Sequence, residues 1–372
     1  MLSATRLLAV ARKEWIQLRR DPRSLILAFV LPVFLLLFFG YAITWDVKEI
    51  RLALLDADAT RESRELVQAF EASGYFRVVA RLDAPGELDR LLVRSRVTGA
   101  LVVPRGFARD LAARRTAPVQ LLLDGSDANT ATIALGYAEA IVAGHSRRVL
   151  LQGRRLAMPL AAEARVWYNP TLESRNMIVP GLVAVIMSII AAMLTALTIA
   201  REWERGTMEQ LAATPVHRLE VVFGKLLPYL LIGAFDVALT VGAGLVVFGV
   251  PFRGSVLLLG GMTLLFLLGA LGLGIFISAV MKSQLLATQV AMVATYLPAL
   301  LLSGFLFDIA GMPPALRAFT LVVPARYYIA VTRGVILKGV GIEALWVQGL
   351  SMIIFAAVGL GLATAAFRKR IV

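Results

Sequence analysis

The sequence predicts an α-helical polytopic membrane protein: six transmembrane helices, with an α/β or α+β external domain inserted between helices 1 and 2. Three observations support this fold class. Of the 372 residues, 59% are apolar and the mean hydropathy is +0.77, which excludes disorder and disfavours an ordinary soluble fold. The apolar residues cluster in stretches long enough to span a bilayer. Residues 45–175 lack such a stretch and hold more than half of the charged residues.

Six apolar stretches account for the predicted transmembrane helices. The first, 25–44, is too long for the apolar region of a cleaved signal peptide, so an uncleaved anchor is favoured over that alternative. Pro32 and Pro228 lie inside two stretches, where neighbouring helices can satisfy the freed carbonyl. The other five belong to the segment 176–372 and lie at 176–200, 223–250, 255–280, 285–307 and 344–366.

The net charge of +13 indicates membrane orientation rather than nucleic-acid binding. Segment 1–24, the loop 201–222 and the last residues hold more Lys and Arg than the short loops on the other side, and these residues favour the cytoplasm. We therefore expect both termini in the cytoplasm, the 45–175 domain outside, and no nucleic-acid partner. The lack of Cys excludes disulfides and thiolate chemistry, and two His leave little room for a metal centre.

The 45–175 domain alternates predicted strands and helices, which favours a compact α/β or α+β fold that serves as a docking or gating surface. His145 is expected to be a solvated helical residue, with proton transfer as the alternative. Asp124 and Asp127 are expected in a turn, with cation binding as the alternative. The predicted strands are 50–56, 76–82, 98–103, 118–124 and 163–168. The predicted helices are 60–73, 85–96, a short one from Pro104, and 128–152.

Segment 1–24 is expected to form an amphipathic helix over residues 5–20 that lies flat at the inner membrane surface, with Pro22 separating it from the first span. A plain basic anchor is the alternative. Lys13 lies opposite the predicted apolar face and Arg12 on its flank. That apolar face consists of Leu7, Ala11, Trp15 and Leu18.

The loop 201–222 combines charges of both signs with a short helical segment that Pro215 ends. Both signs suit an ion-paired contact with another protein, and a basic loop without any partner is the alternative. The charged residues at the start of this loop are Arg201, Glu202, Glu204 and Arg205.

Two stretches of the sequence resemble the ABC-2 type export permeases, the membrane subunits of many bacterial ABC exporters. The six-span layout with a large external domain is similar as well, so the resemblance covers nearly the whole chain. It is closest to the multidrug-type branch that works with a periplasmic adaptor protein, although Val323 and Asp308 replace residues common there. The first stretch is 204–211 with Thr214-Pro215 and Gly224-Lys225. The second is 302–307, Met312-Pro313, 324–328, 333–341 and Leu345-Trp346.

The resemblance implies a dimer of permease protomers, identical or related, in the bacterial inner membrane. It also implies that a separate cytoplasmic ABC ATPase subunit binds ATP and Mg²⁺, so this chain is expected to be no enzyme and to hold no cofactor. No Walker motif is present, since Gly224-Lys225 is followed by Leu226. Segment 5–20 resembles the family's connector helix, with Arg12, Lys13 and Trp15. The ATPase-coupling residues would be Arg201, Glu202, Glu204, Arg205, Gly206, Thr207, Glu209, Gln210, Thr214 and Pro215.

By resemblance, region 308–343 forms short re-entrant helices at the outer leaflet, beside an outer gate. Two of its cations, Arg326 and Arg333, are expected to meet either lipid phosphates or Asp308, with simple interfacial anchoring as the alternative. The gate candidates are Ser303, Gly304, Asp308, Pro313, Pro324, Arg326 and Arg333.

Asp236 lies in the middle of the third apolar stretch, where a carboxylate is costly and normally faces a bundle or cavity. It is expected to contact a cationic substrate, to carry a proton, or to be a structural helix contact with Thr195, Ser278 or Gln284.

The favoured function is export of an amphipathic, drug-like or lipid-like compound by a permease that uses a separate ATPase. The first alternative is an ion-coupled transporter or channel that uses Asp236. A membrane-anchored sensor and an intramembrane hydrolase are weaker alternatives, because the sequence offers neither a large cytoplasmic domain nor a visible nucleophile–base pair.

Overall fold

The computed structural model describes residues 3–43, 49–84, 86–94, 96–113, 115–126, 128–151, 167–169 and 173–367. The chain divides into two compact units, which are described separately. One, the helical unit, comprises Met1–Thr44 and Arg165–Val372; the other, the inserted unit, comprises Trp45–Ala164.

The chain begins with two helical segments separated at Pro22. Helix α1 (Ala4–Arg19) is the expected amphipathic helix, and the break before Pro22 is confirmed. Helix α2 (Pro22–Leu25) continues through a π-helical segment (Ile26–Val30) into α3 (Leu31–Ala42). The apolar run Ile26–Ala42, in the first predicted span, is shorter than the helices that are long enough to cross a membrane. The π-helical segment lies just before Pro32, where the backbone loses a hydrogen-bond donor.

The inserted unit alternates strands and helices as predicted. Its elements are β1 (Ile50–Asp56), α4 (Arg61–Ala72), β2 (Phe76–Arg81), α5 (Gly86–Val93), β3 (Gly99–Val103), α6 (Phe107–Ala112), β4 (Gln120–Leu123) and α7 (Ala128–Leu151). The four strands form one sheet in the order β2-β1-β3-β4. Strand β1 pairs in parallel with β2 and β3, whereas β3 and β4 are antiparallel.

Both faces of this sheet are covered. Leu52 and Leu54 of β1 pack with Leu66 and Phe70 of α4 in a core that also includes residues of α7. The alternate residue, Ala53, faces a second core formed with α5. This alternation follows from the period of two along a strand.

Two details of the inserted unit differ from the prediction. Helix α6 begins at Phe107 rather than at Pro104, because Gly106 adopts a left-handed φ of 86° that interrupts the helix. Trp167 and Tyr168 are not in a strand, and residues 163–166 of the predicted last strand lie outside the described residues. The predicted turn after β4 has the Ser126 amide donating to Asp124 Oδ1 at 2.9 Å, whereas Asp127 lies outside the described residues.

The helical unit continues with eight further helices: α8 (Ser174–Glu204), α9 (Met208–Ala213), α10 (Arg218–Phe248), α11 (Val256–Met281), α12 (Gln284–Leu301), α13 (Pro314–Thr320), α14 (Pro324–Arg333) and α15 (Ile342–Ala366). A 3₁₀ turn (Ile309–Gly311) precedes α13, and a π-helical segment (Gly334–Lys338) follows α14. The expected short helix before Pro215 is therefore confirmed as α9.

Five helices of the described chain are long and apolar enough to cross a membrane: α8, α10, α11, α12 and α15. The pair Pro314–Thr320 and Pro324–Lys338 adds a sixth only if it is one span bent by 76°. The fifth predicted stretch, 285–307, is too long, since α12 ends at Leu301 and irregular backbone follows. Short helices do occur within region 308–343, as predicted.

Helix α8 is central to the helical unit. In the most apolar 18-residue stretch of α8, 83% of the residues are buried, whereas 17% are buried in the corresponding stretch of α12. Small residues allow close packing between other helices: the Gly272 and Gly359 backbones of α11 and α15 leave no room for a Cβ at either position. The Thr195 hydroxyl of α8 also donates to the Leu271 carbonyl of α11 at 2.9 Å. Helix α8 is thus the most deeply buried of the membrane-length helices.

Candidate functional site

The most highly charged buried region of the helical unit lies where α1 packs on the segment 201–225, and we call this region the connector junction. Helix α1 buries Val10, Ala11, Glu14 and Leu18. Of the predicted apolar face, Ala11 and Leu18 are buried and Trp15 is 42% exposed, and Glu14 is buried as well. Gly224 of α10 permits the approach, since a Cβ there would lie 2.7 Å from Val10 Cβ.

Lys225 is the centre of the connector junction. Its side chain is 1% exposed and pairs with Glu14 and with Glu202 Oε1, the latter at 3.1 Å. Lys13 Nζ lies 2.6 Å from the same Glu202 oxygen and remains half exposed. The Tyr229 hydroxyl donates to Glu14 Oε2 at 3.5 Å. Two carboxylates and two ammonium groups therefore balance, which is the condition under which buried charges are tolerated.

The start of α1 is held by α10. Glu220, which is 1% exposed, accepts from the Ser3 amide at 2.6 Å and from the His217 amide at 2.7 Å. Arg6 donates to the Pro215 carbonyl at 2.5 Å. The Glu220 carboxylate thus caps α10 and attaches the start of α1 to it.

The end of α1 is held by α8. Arg201 pairs with Asp21 at 2.8 Å, and the Ser24 hydroxyl donates to Asp21 at 2.8 Å. Asp21 lies immediately before the break at Pro22. Consequently α1 is held near its start, middle and end by the segment 201–225, which comprises the last turn of α8, the α9 loop and the first turns of α10.

Most predicted coupling residues lie on the loop that contains α9. Glu204 is directed within the chain: its carboxylate accepts from the Gln284 amide at 2.7 Å and from the Gln284 side chain, and so caps α12. The Thr207 hydroxyl donates to the Glu202 carbonyl at 3.4 Å. Gly206 has a left-handed φ of 67°, a conformation that Gly adopts without strain.

Four predicted coupling residues of this loop have exposed side chains, and we call them the loop edge: Arg205, Glu209, Gln210 and Pro215. Arg12 and Trp15 of α1 are exposed as well, whereas Thr214 is partly buried. The structure therefore separates the predicted coupling residues into an inward set that holds neighbouring helices and an outward set that is open to another protein.

The outer-gate candidates lie at the other end of α8. Arg333 donates to three carbonyls: Met177 at 3.2 Å, Gly304 at 3.1 Å and Phe305 at 3.5 Å. Met177 and Glu202 are 25 positions apart on α8, or about 38 Å at 1.5 Å per residue. The Arg333 contacts, which we call the arginine clasp, hold the irregular backbone after α12.

The remaining outer candidates have local roles. The Ser303 hydroxyl donates to the Ala299 carbonyl. Asp308 Oδ1 accepts from the Ala310 amide at 3.1 Å and caps the 3₁₀ turn. Arg326 donates to the Thr320 hydroxyl at 2.5 Å, so neither Arg326 nor Arg333 pairs with Asp308 among the described residues. Pro313 precedes α13 as its N-cap, and Pro324 occupies the first position of α14.

Asp236 is 1% exposed, and neither of its carboxyl oxygens has a hydrogen-bond partner in the described part of the chain. The expected partners are engaged elsewhere. Thr195 bonds to Leu271, Ser278 accepts from the Ala200 amide at 2.8 Å, and Gln284 bonds to Glu204. The proposed helix contact with these three residues is therefore wrong. Asp236 is 11 positions beyond Lys225 on α10, about 16 Å along the helix.

His145 belongs to the inserted unit and is buried rather than solvated, so that expectation was wrong. Burial lowers the pKa of His145 below the ordinary value of 6.5, and the charge of Arg148 lowers it further. The residue lines a groove of 760 Å³ between α4 and α7 together with Glu65.

A model of the ABC-2 family transporter proteins matches residues 22–365. The chain belongs to the ABC-2 transporter family. It is 36% identical over 373 residues to the probable multidrug ABC transporter permease YbhS of Escherichia coli K12, covering all of this chain and 99% of that protein. It is 30% identical over 370 residues to the probable multidrug ABC transporter permease YbhR of the same strain, covering 98% of this chain and 99% of that protein.

A third relative is the inner membrane transport permease YhhJ of E. coli K12, which is 27% identical over 327 residues, or 86% of this chain and 85% of that protein. The resemblance read from the sequence motifs is thus confirmed, and this ABC-2 chain is a multi-pass transporter permease. The family model begins at Pro22, whereas the YbhS alignment includes α1. The residues that form α1 therefore align with residues of YbhS.

Sequence reasoning missed three members of the connector junction: Glu14, Lys225 and Tyr229. Lys225 had a detectable signal, because it is a lone cation near the start of the apolar stretch 223–250. Such a charge requires a partner. Glu14 had no such signal, since it lies among several charges in a basic segment.

Proposed function

We propose that this ABC-2 chain is the membrane-spanning permease subunit of an ATP-driven exporter in the inner membrane of a bacterium. It moves an amphipathic, drug-like or lipid-like compound outward, and a separate cytoplasmic ATPase subunit hydrolyses ATP with Mg²⁺. The permease names of YbhS and YbhR and the geometry of the connector junction support this proposal.

The observation that carries the proposal is that one short segment, 201–225, is connected to four helices: α1, α8, α10 and α12. The segment 201–225 joins α8 and α10 covalently, holds α1 through Lys225, and holds α12 through Glu204. Arg201 extends the connection to α2. A force on the loop edge would therefore tilt several membrane helices at once, which is how a two-state membrane element is biased from one side.

In this proposal the loop edge and the exposed flank of α1 dock on the ATPase subunit, with both termini in the cytoplasm and the inserted unit outside. Arg205 and Glu209 supply charges of both signs at that contact. A second permease protomer, identical or related, completes the pathway, and a periplasmic adaptor protein and membrane lipids are further partners.

The test is affinity purification of the full-length chain from its native membrane in mild detergent, with an export assay on the same cells. We expect a stoichiometric ATPase to co-purify, and the double variant Arg205→Glu/Glu209→Lys to lose both the ATPase and export. Glu343→Lys, at the exposed start of α15, is the control and should retain both. Export that survives in the double variant would contradict the proposal.

One observation favours a second candidate, an ion-coupled transporter: the Asp236 carboxyl is buried and unpartnered among the described residues. In that case Asp236→Asn would abolish transport while the double variant of the loop edge would not. The pair of variants therefore separates the two functions in one assay.

A further inference from the structure

A second feature of the helical unit lies beside the connector junction. It is an open cleft of 930 Å³ between α1, the turn at Asp21-Pro22, the last turns of α8 and the first turn of α12. We call it the basic cleft. It continues into a smaller cleft of 280 Å³ that reaches the α9 loop.

Helical spacing places like residues along two walls of the basic cleft. On α1, Lys13, Ile16, Gln17 and Arg20 line it, at offsets of 0, 3, 4 and 7 that share one face of a helix. The end of α8 contributes Leu197, Arg201 and Arg205, which follow one another at intervals of four. On both walls, therefore, aliphatic and cationic side chains face the same space.

The charge of the basic cleft is not neutralised from within. Its lining contains four cations, Lys13, Arg20, Arg201 and Arg205, against one carboxylate, Asp21. Lys13 and Arg201 have carboxylate partners. Arg20 and Arg205 form no ion pair among the described residues, and they directly follow the ends of two different helices, α1 and α8. A bound anion can therefore bridge α1 and α8.

The apolar part of the lining restricts the chemistry of that anion. Ile16 is 42% exposed and Leu285, at the start of α12, is 68% exposed. With Leu197 they form an aliphatic wall beside the cations. A free inorganic anion gains nothing from such a wall, whereas a molecule with an anionic head and an acyl chain can use both. Basic pockets between transmembrane helices at the cytoplasmic surface favour acidic headgroups.

We propose that the basic cleft is a binding site for an acidic phospholipid of the inner leaflet. The phosphate lies between Arg20 and Arg205, and an acyl chain lies along Ile16, Leu197 and Leu285. Bound lipid adds a second bridge between α1 and α8 beside the Arg201–Asp21 pair, and so strengthens the connector junction. The inference rests on the cytoplasmic placement of α1 in the proposed function.

The test uses the full-length chain purified in a neutral detergent. Thermal unfolding and native mass spectrometry are measured with added phosphatidylglycerol, with phosphatidylcholine, and with inorganic phosphate. We expect phosphatidylglycerol alone to raise the unfolding temperature in a saturable way. Each cation at an acidic lipid contributes about a fivefold gain in affinity, so Arg20→Gln/Arg205→Gln should bind about 25-fold more weakly.

The matched control is Arg12→Gln, which removes the same charge from an exposed position of α1 that does not line the cleft. It should bind phosphatidylglycerol as the unchanged chain does. If Arg12→Gln weakened phosphatidylglycerol binding as much as the double variant does, the lipid would be attracted by diffuse surface charge, and the proposal of a defined site would be wrong. Protection by inorganic phosphate as strong as that by lipid would overturn the lipid assignment.

ATPase co-purification with the single variant Arg20→Gln separates this inference from the proposed function. Weaker lipid binding with the ATPase retained would support the lipid site. The lipid proposal would be wrong if Arg20→Gln lost the ATPase and the unchanged chain showed no stabilisation by lipid. That result would mean that a protein carboxylate occupies the cleft. If the chain bound lipid but never co-purified with an ATPase, the lipid site would be supported and the proposed export function would be contradicted.

Discussion

The two ends of α8 hold their neighbours with cations in different ways. At the connector junction Lys225 contacts carboxylates from two other segments, Glu14 and Glu202. At the arginine clasp, the hydrogen bonds of Arg333 within the described residues all go to backbone carbonyls. The ion pairs of Lys225 depend on which side chains its partners carry. The hydrogen bonds of Arg333 depend instead on where the backbone carbonyls lie.

The difference follows from the backbone each end has to stabilise. The segments that meet at Lys225 are helical and satisfy their own backbone groups. The segment after α12 is irregular, and non-helical backbone at membrane depth is tolerated only when protein or water satisfies it. Arg333 supplies donors to that backbone in a planar fork, which a single ammonium group does not provide. The first end is therefore suited to transmit movement and the second to fix a shape.

The largest expected effect is at Lys225. Lys225→Met leaves Glu14 and Glu202 buried beside the half-exposed Lys13 alone, and losing one member of a buried charge set costs about 3–5 kcal/mol. Thermal unfolding of the purified chain should show this loss.

The triple variant Glu14→Gln/Glu202→Gln/Lys225→Met removes all three charges and should recover most of the stability while export stays impaired. Lys13→Met is the matched control, since a pair with an exposed lysine contributes about 0–1 kcal/mol. Equal losses at Lys13 and Lys225 would contradict the assignment of Lys225 as the centre of the junction.

The second effect is at the arginine clasp. Arg333→Lys keeps the charge but loses the fork, so at least one of the three carbonyls is left without a donor, at a cost of about 2 kcal/mol. The unfolding temperature should fall, whereas co-purification of the ATPase should not change. A loss of the ATPase in this variant would show that the two ends of α8 are not separate in function.

The third effect concerns the backbone beside the loop edge. Gly206→Ala forces a side chain into a left-handed conformation, which costs about 1 kcal/mol, although no atom of the described residues blocks the new Cβ. Weaker ATPase binding with little change in unfolding temperature is expected, because the strain is released by local rearrangement of the loop.

Gly242→Ala, at a helical position of α10 that is equally free of contacts, is the control for Gly206→Ala and should leave ATPase binding unchanged. If the two variants behave alike, the conformation of Gly206 has no part in the docking surface.

The smallest effect is outside both regions, at His145. Because its folded pKa is lowered from 6.5, the neutral imidazole is favoured in the folded state. Its contribution to stability is present above pH 6.5 and is lost progressively as the pH falls from 6.5 through the lowered folded pKa. His145→Gln should flatten the pH dependence of unfolding of the inserted unit in that range. An unchanged slope in the variant would assign the dependence to another group.

Periodicity and charge patterns predicted most of the fold. Alternation placed β1 and β3 within a residue of their bounds, and the Pro22 break and the α9 helix were predicted by residues with fixed backbone preferences. The end of α12 was missed because residues 302–307 remain apolar after the helix stops. Composition alone does not distinguish apolar helix from apolar loop buried in protein.

The candidate site was predicted only in part, for a physical reason. The sequence locates charges along the chain, but pairs such as Glu14 with Lys225 are separated by 211 positions. The apolar pattern of α1 predicted a face toward the membrane surface, and it did not predict that Glu14 is buried against α10. Glu14 takes that place since α10 offers Lys225. Glu204 was likewise predicted to contact a partner protein, because its hydrogen bond with Gln284 joins residues that are 80 positions apart.

The most direct measurement is site-specific cross-linking from the loop edge in native membranes. Because the chain has no Cys, Glu209→Cys provides a single attachment point, and Glu343→Cys is its control. A short photo-cross-linker at position 209 is expected to capture an ABC ATPase subunit in a nucleotide-dependent yield, while position 343 captures none. No ATPase at position 209, or equal capture at both positions, would contradict the assignment of the loop edge as the docking surface.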